Sequence, residues 1–195
     1  MLNEPIRLAI ITGSVRIGRL GPTVAQWFAA EAGHREDLTV DVIDAADVPL
    51  SLTGPTRQPA PDMVEVLAEI SPRIESADAF VVVTPEYNHS YPAGLKNLID
   101  WHITQWRAKP VGFVSYGGMS GGLRAVEHLR AVFAELHAMT IQSTVCFRDC
   151  AEAFDTDGLP KDRAACEAAA KDMLDQLVWW ANALKDARAK TPYSV

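Results

Sequence analysis

Cysteine is scarce in this chain: Cys146, Cys150 and Cys166 are the three present. An odd number without CxxC spacing excludes a disulfide framework and a zinc-type thiolate cage, so reduced thiols inside the fold and no bound metal are expected. Basic charge is also short. Lys and Arg total 18 against 25 Asp and Glu, a net charge of −7, which leaves no broad positive field for a nucleic-acid backbone. No apolar run approaches the ~20 residues of a membrane-spanning helix, so no membrane partner is expected. The opening Met1-Leu2-Asn3-Glu4-Pro5 lacks a basic stretch followed by an apolar segment and a small-residue cleavage site; a cytoplasmic location is the expectation. Internal repeats are absent as well. What is there is 195 residues, 48% of them hydrophobic. That is enough to close one core without covalent staples, and residues 1–195 are expected to form a single domain.

Short apolar runs alternate with longer helical patterns, the signature of a parallel sheet wrapped by helices. Five runs read as strands: Ile6 to Thr12, Thr39 to Asp44, Ala79 to Val83, Pro110 to Tyr116 and Thr140 to Phe147. Helical patterns lie at Pro22 to Ala32, where Val24, Trp27 and Phe28 form an apolar stripe, and at Asp62 to about Glu75. Others follow at Ala93 to Trp101, Leu123 to His137 and Lys161 to about Arg188. Asp62 suits an N-cap, and Pro72 is expected to end or kink its helix early. Ala45 to Pro61 carries Pro49, Gly54, Pro55, Pro59 and Pro61 and reads as a long surface loop. Right-handed crossovers then give an α/β fold, a flavodoxin-like three-layer sandwich on a five-stranded parallel sheet of order 2-1-3-4-5. Its switch point, between strands one and three, puts Gly13 beside Thr84.

Three loops are expected to converge at the carboxyl ends of the strands, where open α/β sheets bind ligands. The most informative runs from Thr84 to Trp101. Pro85 and Pro92 stiffen it, and the N–H groups of Glu86, Tyr87 and Asn88 are left to face a flat-ring ligand. The first loop, Thr12-Gly13-Ser14-Val15-Arg16-Ile17-Gly18-Arg19-Leu20-Gly21-Pro22-Thr23, suits a terminal phosphate. Helix N-terminal N–H groups, the Ser14 hydroxyl and a bidentate Arg16 would receive it, while Arg19 is either a second charge or solvent-facing. Val15 occupies the middle-glycine place of GxGxxG, and no Gly-Lys-Ser or Gly-Lys-Thr occurs, so the dinucleotide fingerprint and the Walker loop both fail. Asp44 keeps a Rossmann-type ribose acid open beside the plainer reading of a cap or turn carboxylate. The third loop, Ser115-Tyr116-Gly117-Gly118-Met119-Ser120-Gly121-Gly122, has four glycines that let a backbone approach a ring. A phosphate pocket, a donor platform and a glycine wall together outline a site for a mononucleotide with a flat polar ring.

On these residues the chain resembles the NADPH-dependent FMN reductase family, the flavodoxin-like quinone, azo-dye and chromate reductases. The likeness covers about Ile6 to Phe147. It rests on Gly13-Ser14-Val15-Arg16, on Pro85-Glu86-Tyr87-Asn88 with Ser90, Pro92, Leu95, Lys96, Asn97 and Asp100, and on Gly121-Gly122 followed by Arg124 and Leu129-Arg130. The resemblance implies that Ser14 and Arg16 hold the FMN phosphate, with Arg19, Leu20 and Gly21 in the same loop. Arg19 and Gly21 stand where many members have a serine and an asparagine. It implies further that Pro85, Glu86, Tyr87 and Asn88 line the isoalloxazine and that Tyr116, Gly117 and Gly118 flank its other side.

The implied activity is a ping-pong oxidoreduction, in which NADPH or NADH reduces FMN and a quinone, free flavin or azo compound takes the electrons. No catalytic side chain is assigned, because the cofactor carries the hydride chemistry. Tyr87 or Tyr91 would edge the acceptor pocket, His89 reads as a partly exposed loop histidine, and Lys96, Asn97 and Asp100 read as structural. Members are dimers, so a homodimer or homotetramer is implied, with Trp101 and Trp106 at the subunit interface. The rival reading is a flavodoxin-type electron-transfer protein without its own NAD(P)H oxidation, ranked second because this chain has arginine in the phosphate loop and only diffuse acidity. A receiver domain needs an aspartate at the end of strand three, where Thr84 stands.

Overall fold

The computed structural model describes residues 4–194; Met1 to Asn3, on which part of the leader reading rests, lie outside them. Five parallel strands form one sheet of order β2-β1-β3-β4-β5: β1 Ile6–Thr12, β2 Leu38–Asp44, β3 Ala79–Pro85, β4 Pro110–Tyr116 and β5 Met139–Phe147. The order is the expected one. Helices α1 Gly21–Gly33, α2 Pro61–Ser76, α3 Ala93–Asp100, α4 Leu123–Glu135, α5 Cys150–Ala153 and α6 Arg163–Lys190 complete it. Every residue of β3 and β4 is buried, as continuous apolar runs between two helical layers require.

Two cores result. On one face α1 and α6 bring Val24, Phe28, Leu174 and Leu177 onto Ile10, Val81, Val83 and Val114. On the other, Ile70, Ile74, Leu98, Leu129 and Phe133 from α2, α3 and α4 cover Ile11, Phe80, Val82 and Phe113. Each such side chain contributes about 1.5–3 kcal/mol by leaving water.

Three expectations need correction. Pro72 lies inside α2, which continues to Ser76; Ile70 and Ile74, buried on either side of it, hold the chain helical across the lost donor. The N-cap of that helix is Ala60, with Pro61 in the first turn and no side-chain cap bond. Proline's fixed φ starts the helix, and Asp62 serves as a first-turn charge facing the dipole. Trp106 is wholly buried, donating from Nε1 to Ile99 O at 3.3 Å and stacked near Phe80 and Phe133 at 4.6 and 5.4 Å between centroids. It is core, since the α3–β4 connection folds inward and presents the ring to the sheet. Trp101 instead anchors the long loop: Nε1 donates to Ser51 O at 3.0 Å, and a Cβ on Gly54 would stand 1.9 Å from its ring.

Register levels the strand ends that matter. Thr12 pairs with Val83, Thr84 with Ser115, and Tyr116 with Phe147. Gly13 N–H then bonds Val83 O at 2.8 Å and Gly117 N–H bonds Phe147 O at 3.1 Å, so the loops after β1, β3 and β4 leave the sheet side by side.

Candidate functional site

The first loop is held tight against its neighbours. A Cβ on Gly13 would lie 2.9 Å from Leu95 Cδ2, so the turn needs glycine. Ser14 is fully buried, and its hydroxyl shares a 2.6 Å hydrogen bond with the Tyr87 hydroxyl. Arg16 is exposed and lies over the Tyr87 ring, 5.8 Å from its centroid. Arg19 is tied at 2.5 Å to Asp44 Oδ2, whose other oxygen accepts from Ala46 N–H at 3.0 Å. Asp44 is therefore a turn cap and ion-pair partner, which accounts for both its oxygens without a ribose. Leu20 is the N-cap of α1 and offers no side-chain cap bond. The first-turn N–H groups of Gly21 and Thr23 consequently stay open to an anion, Pro22 between them having none.

After β3 the chain makes a two-residue hairpin turn. Tyr87 and Ser90 exchange N–H···O bonds of 2.8 and 3.1 Å, with Asn88 and His89 at φ +49° and +74°. The Tyr87 N–H is thus spent on Ser90 O and is not free for a ligand. Asn88 and His89 sit exposed at the tip, and His89 Nδ1 accepts from Arg124 at 2.9 Å. The Glu86 carboxylate, largely buried, accepts from the Ser120 hydroxyl at 2.8 Å and the Arg124 N–H at 3.2 Å, and pairs with the Arg124 guanidinium at 3.3 Å. It clamps the β3 loop to the β4 loop. Lys96 pairs with Asp100 at 2.6 Å, and Asn97 donates to Leu50 O at 2.9 Å, the structural roles expected of them.

The four glycines of the β4 loop divide their work. A Cβ on Gly118 would meet nothing within 4 Å, whereas one on Gly121 would reach 2.3 Å from Cys146 Sγ. Gly121 and Gly122, at φ +61° and +87°, shape the turn into α4; a Cβ on Gly117 would come within 3.2 Å of Gly122 N, and Gly118 faces open space.

A cavity of about 560 Å³ lies between these loops. It is lined by Arg16, Arg19 and Leu20, by Pro85, Glu86 and Tyr87, and by Tyr116, Gly117 and Gly118. Of the other expected site residues, Ser14 and Gly21 lie buried behind this lining and Asn88 lies outside it. A fourth wall was not foreseen: Cys150, Ala151, Phe154, Asp155, Thr156 and Gly158 close the side beyond β5. There Phe154 bridges to Pro160, Asp155 accepts from the Asp157 and Leu159 N–H groups at 3.0 and 2.9 Å, and Gly158 takes φ +77°. The Asp-Thr-Asp-Gly stretch was the available signal for this turn. Burial raises the Cys150 thiol above its ordinary value, so it lines the wall as an inert neutral group.

The model of NADPH-dependent FMN reductases matches residues 6–152. The chain belongs to that family. An NAD(P)H-dependent FMN reductase of Schizosaccharomyces pombe is 40% identical over 121 residues, covering 60% of each chain. A quinone reductase of Escherichia coli is 35% identical over 146 residues, covering 72% of this chain and 76% of its own. Among solved structures, the flavoenzyme NAD(P)H:(acceptor) oxidoreductase FerB of Paracoccus denitrificans superposes with a TM-score of 0.70 at 24% identity over 91% of this chain and 97% of its own. A flavodoxin of Pseudomonas aeruginosa does so with a TM-score of 0.55 at 17% identity over 88% of this chain and 99% of its own. These two show the shared fold.

The residues present fit an FMN. Two buried polar atoms beside the α1 N-terminus, Arg19 Nε and the Tyr116 hydroxyl, have no partner in the protein, and the β4 loop presents at Gly118 a backbone wall that no side chain fills. A cofactor with an anionic tail and a flat head matches both ends.

Proposed function

We propose that the chain is an NAD(P)H-dependent FMN oxidoreductase acting on a small-molecule acceptor such as a quinone, free flavin or azo compound. The observation that carries the reading is the cavity itself: uncapped first-turn N–H groups with Arg16 at one end, and a glycine wall clamped by Glu86 at the other. FMN held there supplies the hydride relay between nicotinamide and acceptor. The chain's own residues bind, orient and exclude water. Arg16 and Ser14, with Arg19, Leu20 and Gly21, form the phosphate end; Pro85, Glu86 and Tyr87 form the platform, with Asn88 beyond it at the hairpin tip, and Tyr116, Gly117 and Gly118 the facing wall. No side chain is assigned a catalytic proton.

The reading extends to one FMN-binding unit over residues 1–195 working in the cytoplasm as a homodimer or homotetramer. No helix among the described residues is long and apolar enough to cross a membrane. Ile17 and Met119, each beside a cavity-lining residue, are 98% and 87% exposed, and a second copy would cover such surface. Acceptors of the quinone class fit the name borne by the Escherichia coli relative.

Anaerobic addition of NADPH or NADH to the FMN-loaded protein is expected to bleach the flavin band, and a quinone to restore it. FMN that binds but stays oxidised would instead mark an electron carrier. Failure to take up FMN at all would remove both readings.

A further inference from the structure

Tyr116 ends β4, where sequence reasoning placed it beside the flavin ring. Its hydroxyl points the other way. A Cβ on Gly21, the first residue of α1, would stand 3.0 Å from that oxygen and 2.9 Å from Thr12 Cγ2, so the phenol packs directly under the helix N-terminus in the space that glycine leaves. The residue is 4% exposed, it lines the cavity, and its oxygen has no hydrogen-bond partner. The Ser14 hydroxyl lies close enough to temper the phenol's ionisation, but its short hydrogen bond is the 2.6 Å one shared with Tyr87. Arg19, the second cation of this loop, is committed to Asp44.

An unpartnered O–H buried against a helix N-terminus is costly unless a ligand completes it. Burial, with Tyr87 close by, pushes the phenol's ionisation well above its ordinary value, so the group is a neutral donor at any physiological pH. A phosphate offers acceptors only, which is the complement of that donor.

Resting on the FMN reading above, we propose that the Tyr116 hydroxyl donates to the 5′-phosphate and is the residue by which the site prefers FMN to riboflavin. Flavin ring contacts are common to both ligands. The hydroxyl at α1 meets a group that riboflavin lacks.

The test is fluorescence titration of the flavin-free protein with FMN and with riboflavin, in wild type and Tyr116→Phe, together with the melting temperature of each without flavin. The variant is expected to bind FMN roughly tenfold or more weakly, as for a lost hydrogen bond to a charged group, and riboflavin as before. Without flavin it should melt at or above wild type, because an unsatisfied buried hydroxyl has been removed. Unchanged FMN affinity, a parallel loss for both flavins, or a lower melting temperature would each overturn the assignment. Gly21→Ala, whose new Cβ displaces the hydroxyl, is the second variant: it should lose FMN selectively, and retention of full FMN preference counts against the proposal. Wild type that takes up no FMN would fail at the first titration, and that result removes the flavin reading itself along with this one.

Discussion

The two ends of the sheet handle buried polarity in opposite ways. Around Asp78, at the amino end of β3, a carboxylate only 5% exposed is met by Lys185 at 2.9 Å, by Arg7 and Arg188 at 3.6 and 3.9 Å, and by the Arg7 N–H at 3.1 Å. Lys109 nearby donates to Glu75 O at 2.7 Å, and Arg188 to Ala108 O. At the carboxyl end, the Tyr116 hydroxyl and Arg19 Nε are left without partners. The contrast separates stability from function: the Asp78 cluster is satisfied by the chain itself, whereas the groups beside the cavity are left for a ligand to complete.

The sharpest way to break the comparison is Asp78→Ala, which strands Lys185 and Arg188 together. Losing one member of a buried charge cluster costs about 3 kcal/mol, to be read by denaturant unfolding of the flavin-free protein, with FMN affinity of the folded variant unchanged. If Asp78→Ala weakened FMN binding and spared stability, the two ends would not be the separate systems described. Next in size is Arg16→Ala at the other end. A charged phosphate contact is worth about 1.5–3 kcal/mol, so fluorescence titration should show FMN affinity falling tenfold or more while the melting temperature without flavin holds.

The pH dependence of stability sharpens the same contrast. Burial opposes the Asp78 charge, but the Lys185 and Arg7 contacts outweigh it and hold the carboxyl below its ordinary 3.8. The folded state therefore binds fewer protons than the unfolded one in that window; the stability is present above 3.8 and is lost as pH falls through the lower folded value. Lys109 runs the other way. Burial brings it down from 10.5 to about 8, so between those values the unfolded chain binds the extra proton and stability rises with pH. Unfolding curves for Lys109→Met should lack that alkaline rise.

Smaller effects are expected between these poles. Glu86→Gln keeps one acceptor for Ser120 but loses the ion pair that joins the two ring loops; FMN affinity should drop by about 1 kcal/mol, and a spectrum of bound flavin identical to wild type would show the clamp to be dispensable. Lys96→Ala removes a half-buried i,i+4 pair worth about 0.3–0.5 kcal/mol and should leave flavin binding untouched.

How far the sequence carried these conclusions follows the physics of each element. The strands were legible because β3 and β4 are buried on both faces and read as unbroken apolar runs. Gly13 was legible because the tight turn after β1, packed on Leu95, leaves few residue choices. Side-chain direction was not: Tyr116 sits by position beside the glycine loop, while its hydroxyl packs under the α1 N-terminus, a difference set by the space that Gly21 leaves in a helix 95 residues earlier. Trp106 was misplaced for a similar reason, since a local pattern does not say whether a loop folds inward. The wall from Cys150 to Gly158 was passed over because its turn chemistry follows β5 rather than the three strand ends on which ligand-binding rules concentrate.

A crystal structure of the protein grown with FMN tests the central claim most directly. The account predicts flavin in the cavity between the β1, β3 and β4 loops, its phosphate at the α1 N-terminus within reach of Arg16 and the Tyr116 hydroxyl, and its ring along Gly117 and Gly118. FMN bound elsewhere on the molecule, or turned with its ring at α1 and its phosphate at the glycine wall, would contradict it.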